Sequence, residues 1–170
     1  PAKGGGLYIN GGHVQLENCT VADNKATPSY GPGLYCDGTS SRADLRNCIV
    51  YGNTPTPGIA GSGGSFTLTA SLYTYFDSTN PQFESRPTAP SPGDYYLDQT
   101  TSPCVDAGGV SAADAGLEHY STAPIALAPD TGVVDQGFHY PCDCDDNGRE
   151  DDVDLGVLGE PDCNRDGVLD

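Results

Sequence analysis

Between residues 7 and 72 the chain alternates apolar and polar positions in runs of strand length, each ended by Gly, Asn or Asp. Leu7 and Ile9 fall on one side of such a strand and Tyr8 on the other. Val14 and Leu16 face in while Gln15 and Glu17 face out. The 23 Gly and 14 Pro make long helices poor candidates.

The alternation also repeats. Gly6-Leu7-Tyr8-Ile9-Asn10-Gly11 returns as Gly33-Leu34-Tyr35-Cys36-Asp37-Gly38. Leu16-Glu17-Asn18-Cys19-Thr20-Val21 returns as Leu45-Arg46-Asn47-Cys48-Ile49-Val50, and Asn24 is matched by Asn53. The offset is 27 residues and then 29, which puts a two-residue insertion near Thr39-Ser40. A third, degenerate copy runs from Gly61 to Leu72. Strands this short bury no face within one copy. Stacking copies at ~4.8 Å does, laying like on like through the core. Asn18 over Asn47 and Asn24 over Asn53 can then hydrogen-bond along the stack. This is the physics of a parallel β-helix; the competing arrangement is a β-sandwich whose hairpins coincide with the repeat.

Through the G-L-Y and L-x-N-C-x-V/I-x-x-N elements, residues 1–76 resemble the rungs of secreted bacterial right-handed parallel β-helix proteins of the pectate-lyase-like kind. The resemblance implies that residues 77–140, which lose the repeat, form a loop-rich closing segment at the C-terminal end of the helix. Asp106 and Asp135 in that segment are either a carboxylate pair or, as their turn settings favour, acceptors for local backbone.

Composition changes the picture in one place. Seven basic against 24 acidic residues give a net charge of −17, which repels nucleic acid and anionic membrane surfaces. Nine of those net charges lie in residues 141–170. There Asp143, Asp145, Asn147, Arg149, Asp151 and Asp154 fit the loop D-x-[DN]-x-[DN]-G-x5-[DE], with Gly148 at the turn. Calcium takes six to eight oxygens, which alternate side chains and the Arg149 carbonyl can bring to one centre. A second loop supplies Asp162, Asn164, Asp166, Val168 and Asp170 in the same register. The two loops resemble the duplicated calcium loops of dockerin and EF-hand modules. Bound Ca2+ is the implied cofactor; an acidic linker is the bland alternative. The expected fold is thus all-β: a short right-handed parallel β-helix, a closing segment and a calcium-binding tail.

Seven Cys with almost no Lys suit an oxidising, extracellular setting. Cys19 and Cys48 hold equivalent positions, close enough for a disulfide or stacked as free thiols, and Cys36 replaces Ile9 as a core residue. Cys163 can bridge to Cys144 or Cys142, and an odd count leaves a thiol over. His13, His119 and His139 have no zinc-ligand spacing. The repeats carry only Lys3, Lys25, Arg42 and Arg46, with no carboxylate cluster beside them. No membrane span or signal peptide is visible, and with Pro1 first and no Met the chain reads as a processed product. Asn18-Cys19-Thr20 is a formal glycosylation sequon, and the Thr/Ser/Pro tracts at 54–57 and 85–92 are candidate glycan carriers.

Three functions are compatible with this reading: a non-catalytic structural subunit, the C-terminal part of a secreted polysaccharide lyase or hydrolase, and a calcium-dependent docking module. The missing catalytic set favours the first. The repeat begins almost at Pro1 with no capping helix, so the structural reading predicts head-to-tail association into a filament.

Overall fold

The computed structural model describes residues 4–27, 30–73, 80–84, 95–118, 120–123 and 129–141. They are mostly strand: β1 (Leu7–Glu17), β2 (Thr20–Ala22), β3 (Leu34–Arg46), β4 (Ile49–Tyr51), β5 (Ile59–Ser62), β6 (Ser65–Thr69), β7 (Leu72–Tyr73), β8 (Phe83–Glu84), β9 (Tyr96–Leu97), β10 (Tyr120–Ser121) and β11 (Tyr140–Pro141), with the four-residue helix α1 (Ala112–Ala115). Two parallel sheets hold the repeats. One contains β1, β3 and then β5 and β6, which both pair with β3; the other runs β2-β4-β7.

The register of these sheets is the sequence repeat. Leu7, Tyr8 and Ile9 lie opposite Leu34, Tyr35 and Cys36, while Leu16 lies opposite Leu45. The change of offset appears as a bulge: Asn10 pairs with Asp37 but Gly12 with Ser41, so Thr39 and Ser40 are absorbed there. The third copy spans β5, β6 and β7, with Leu68 opposite Leu45 and Leu72 opposite Ile49. It starts earlier than its degenerate sequence suggests, at Ile59 opposite Leu34.

Two corners explain where each copy bends. At the first, Gly11, Gly38 and Gly63 take φ values of 86°, 79° and 86°, a region open to glycine at no steric cost. At the second, Asn18, Asn47 and Ala70 are left-handed, with φ of 49°, 52° and 45°. Asn is among the side-chain-bearing residues best suited to that conformation. The next residue closes the corner: Cys19 Sγ donates to Glu17 O (3.1 Å), Cys48 Sγ to Arg46 O (3.1 Å) and Ser71 Oγ to Thr69 O (2.9 Å).

Inward residues from all three copies form one core. Ile9, Leu34, Cys36, Ala43, Leu45, Cys48, Val50, Ile59 and Tyr73 are buried, and Leu7, Val14, Leu16, Phe66 and Leu68 pack on them. The middle copy is covered from both sides, so Leu34 and Leu45 are sealed while Leu16 and Leu68 remain half-buried. The Asn ladder forms at one of its two expected places. Asn24 Nδ2 donates to Asn53 Oδ1 at 3.0 Å. Asn47 Oδ1 instead accepts from Gly109 N at 2.8 Å, and the buried Asn18 Oδ1 has no partner.

The described part of the closing segment lies along the side of the repeats. Leu97, Cys104, Phe83 and Val105 pack on Ile49, Leu72 and Tyr51, the outward residues of β4 and β7. Gly137 N donates to Asn47 O (2.8 Å) and Phe138 N to Thr20 Oγ1 (2.9 Å). Sheet β2-β4-β7 is therefore apolar on both faces, in keeping with the unbroken run Cys48-Ile49-Val50-Tyr51. Among the described residues no helix is long and apolar enough to cross a membrane.

Candidate functional site

The residues expected to hold calcium, Asp143, Asp145, Asn147, Arg149, Asp151 and Asp154 in one loop and Asp162, Asn164, Asp166, Val168 and Asp170 in the other, lie outside the described residues. So do Lys3, His119, Cys142, Cys144 and Cys163. Among the described residues no group of three or more His, Cys, Asp or Glu side chains converges on a metal position.

What the repeats do build is a polar face. Outward positions of β1, β3 and β6 form three rows: His13, Gln15 and Glu17; Arg42, Asp44 and Arg46; Ser65, Thr67 and Thr69. The last two members of each row line a shallow groove of about 220 Å³. Asp44 is its centre, accepting from Arg42 Nε at 2.8 Å and from His13 Nε2 at 2.7 Å. The Arg42 hydrogen bond, helped by Thr67 and His13 against some burial, holds the Asp44 carboxyl down at about 2. Asp44 in return raises the Arg42 guanidinium. Arg46 Nη1 lies 3.4 Å from Glu17 Oε1.

The charged side chains of this face pair with one another. Glycoside hydrolysis needs a carboxyl kept protonated near neutral pH beside a second carboxylate, and Asp44 is shifted the opposite way. We expect its side-chain carboxyl to titrate near 2 in a ¹³C NMR pH series. Arg42→Ala should move that midpoint up toward the ordinary value of about 3.9. Because the folded value is depressed, the stability linked to Asp44 is present above pH ~3.9 and lost as pH falls toward 2. A wild-type midpoint at the ordinary value would contradict the pairing.

A second polar group is sealed inside the closing segment. His139 Nε2 lies 2.8 Å from Asp130 Oδ2, with side-chain exposures of 1% and 4%. His139 Nδ1 donates to Gly137 O at 3.1 Å, since a carbonyl cannot donate. Asp130 Oδ2 also accepts from Asp135 N (2.8 Å). Asp135 takes Asp106 N on Oδ1 (2.7 Å) and the Thr122 hydroxyl on Oδ2. Burial pushes the Asp135 carboxyl up, opposed by the Thr122 and Asp106 hydrogen bonds. Asp106 has φ 52° and meets Asp135 through its backbone N–H, so Asp135 anchors a turn 29 residues away in the chain rather than its own local backbone. Both ring nitrogens of His139 are engaged, leaving none to bind a metal or take a substrate proton.

The third chemical group is the thiol column. Cys19, Cys36 and Cys48 are free thiols, and Cys104 is buried. Contact with the Cys48 thiol brings Cys19 down to about 7 against the effect of burial, and the same contact together with burial pushes Cys48 up. Sequence reasoning placed Cys19 and Cys48 side by side but missed the corner hydrogen bond. The signal was present in the matched Asn-Cys, Asn-Cys and Ala-Ser pairs at 18–19, 47–48 and 70–71. Comparison with protein-family models, characterised proteins and solved structures finds no match to this chain.

Proposed function

We propose that the chain is a non-catalytic structural segment of an extracellular protein, a short right-handed parallel β-helix of the pectate-lyase-like kind. Its calcium-binding tail is dockerin- or EF-hand-like, and it associates head to tail with further copies of itself. The observation that carries this reading is the in-register parallel pairing of three successive copies, an arrangement extended by adding one more copy. A second copy fits both ends. β1 is the outer strand of its sheet, with Leu7, Val14 and Leu16 half-covered. At the other end Ile59, Phe66, Leu68 and Tyr73 line an apolar cleft of about 470 Å³. Setting one end on the other places Leu68 over Leu16 and Phe66 over Val14, as within the repeat itself. Such a contact does not close on itself and gives filaments.

The mutual pairing of the charged side chains on the polar face supports a structural role over hydrolase chemistry. In the tail, alternating carboxylates and carboxamides are a donor set suited to a hard cation, and Ca2+ there would neutralise crowded charge and add folding free energy. Negative-stain images and sedimentation in calcium and in chelator test the reading. Filaments whose length grows with protein concentration are expected. A folded monomer at all concentrations, or cleavage of pectin or alginate, would overturn it.

A further inference from the structure

Cys19 and Cys48 occupy the same corner in successive copies. Thr20 pairs with Ile49 in register, and Ile49 N donates to Cys19 O at 2.9 Å. Their Cα atoms therefore sit about one inter-strand spacing apart, ~4.8 Å, inside the ~4.4–6.8 Å range that a disulfide spans. The side chains are also turned to the same place. Each sulfur donates to the carbonyl two residues back, and Cys48 Sγ lies in addition 3.4 Å from Leu16 O, a group of the first copy. The buried sulfur thus leans toward the layer that carries Cys19. The corner itself does not call for sulfur, because Ser71 makes the equivalent bond in the third copy. Two adjacent thiols stand where two hydroxyls would serve.

We propose that Cys19 and Cys48 are a redox-controlled staple that covalently joins the first copy to the second. The oxidant is a small-molecule disulfide, RSSR. The half-exposed Cys19 thiolate attacks one sulfur of RSSR; the S–S bond breaks, a Cys19–S–S–R bond forms and RS⁻ leaves to take up a proton. Cys48 then loses its proton and attacks the Cys19 sulfur, expelling the second RS⁻. In sum two protein thiols are oxidised to one disulfide and RSSR is reduced to two RSH. Cys19 is suited to the first step by its partial exposure and by contact with the Cys48 thiol, which lowers it to about 7. Cys48, fully buried, meets the oxidant only through Cys19. The structure shows the reduced state, with β1 and β2 held to the second copy by hydrogen bonds and packing alone.

The proposal rests on neither the tail nor the end-to-end association. The full chain is incubated with oxidised glutathione, alkylated, digested and mapped by mass spectrometry. A peptide linking Cys19 to Cys48 is expected as the main product among the described thiols, with Cys36 and Cys104 alkylated only after unfolding. Cys48→Ser keeps the corner hydrogen bond in the manner of Ser71 and should arrest the reaction with glutathione on Cys19. Cys19→Ser should abolish both products. Circular dichroism checks that each variant keeps its fold. Formation of the staple should slow amide exchange in β1 and β2 about tenfold, and dithiothreitol should reverse it. Three results would each overturn the proposal: glutathione that stays on Cys19 in the unsubstituted chain, a Cys19 that pairs with another cysteine, or a Cys19 that does not react.

Discussion

Replacing His139 with alanine will destabilise the fold by about 3–5 kcal/mol, the loss expected when one member of a buried pair is removed and the other is left in place. Asp130 is then a buried carboxyl without the imidazole 2.8 Å from its Oδ2. The cost spreads because the same oxygen receives the Asp135 amide, and Asp135 in turn anchors the Asp106 turn and Thr122. The segment that covers Ile49 and Leu72 is tied to this network.

The loss should depend on pH in a definite direction. The titratable groups that face one another here are Asp130, Asp135 and His139. Burial raises the Asp135 carboxyl, with Asp130 adding to the rise and His139 opposing it. An acid with a raised folded value holds its proton more tightly when folded. Its contribution to stability therefore declines as pH climbs from the ordinary ~3.9 through that raised value. Removing His139 takes away an opposing charge and widens the window upward. Urea unfolding followed by tyrosine fluorescence, in a chain with ten Tyr and no Trp, should show a larger loss at pH 7 than at pH 4. An equal loss at both, or one below about 1 kcal/mol, would mean the pair is not what holds the segment.

His139 also marks the limit of what the sequence discloses. The repeats were legible because identical positions recur: Leu7 and Leu34, Leu16 and Leu45 declare their partners by matching, and a parallel sheet needs no other information to set its register. Even the bulge at Gly12 and Ser41 was foreshadowed by the change of offset. The closing segment has no period, and each of its contacts is made once. Nothing in Asp130 or His139 taken singly announces a buried pair, and the outward side chains of Ile49 and Leu72 become core only because Leu97 and Cys104 arrive from far along the chain. The Asn18–Asn47 ladder failed for a related reason. In the third copy Ala70 stands where an Asn would continue the row, and the Gly109 amide takes Asn47 Oδ1 instead. The calcium motif, the sharpest signal in the sequence, lies outside the described residues and stays a proposal.

The second large effect follows from the layering. Leu45→Ala should cost about 3–5 kcal/mol, because Leu45 is 1% exposed, lies between Leu16 and Leu68, and leaves a cavity that layers on both sides keep from collapsing. Leu16→Ala removes the same atoms from the outer layer, where the side chain is half-buried and the gap opens toward solvent, so about 1–2 kcal/mol is expected in the isolated chain. The contrast gives association a thermodynamic signature. If Leu68 of a second copy settles over Leu16, the outer position becomes an interior one and its truncation should cost nearly as much as that of Leu45. Because association enters stability by mass action, the Leu16→Ala loss should grow with protein concentration while the Leu45→Ala loss stays level. Urea midpoints of both variants against wild type, at dilute and concentrated protein in calcium, measure the two slopes. A Leu16→Ala loss that stays small at every concentration would show that β1 remains an outer strand in solution.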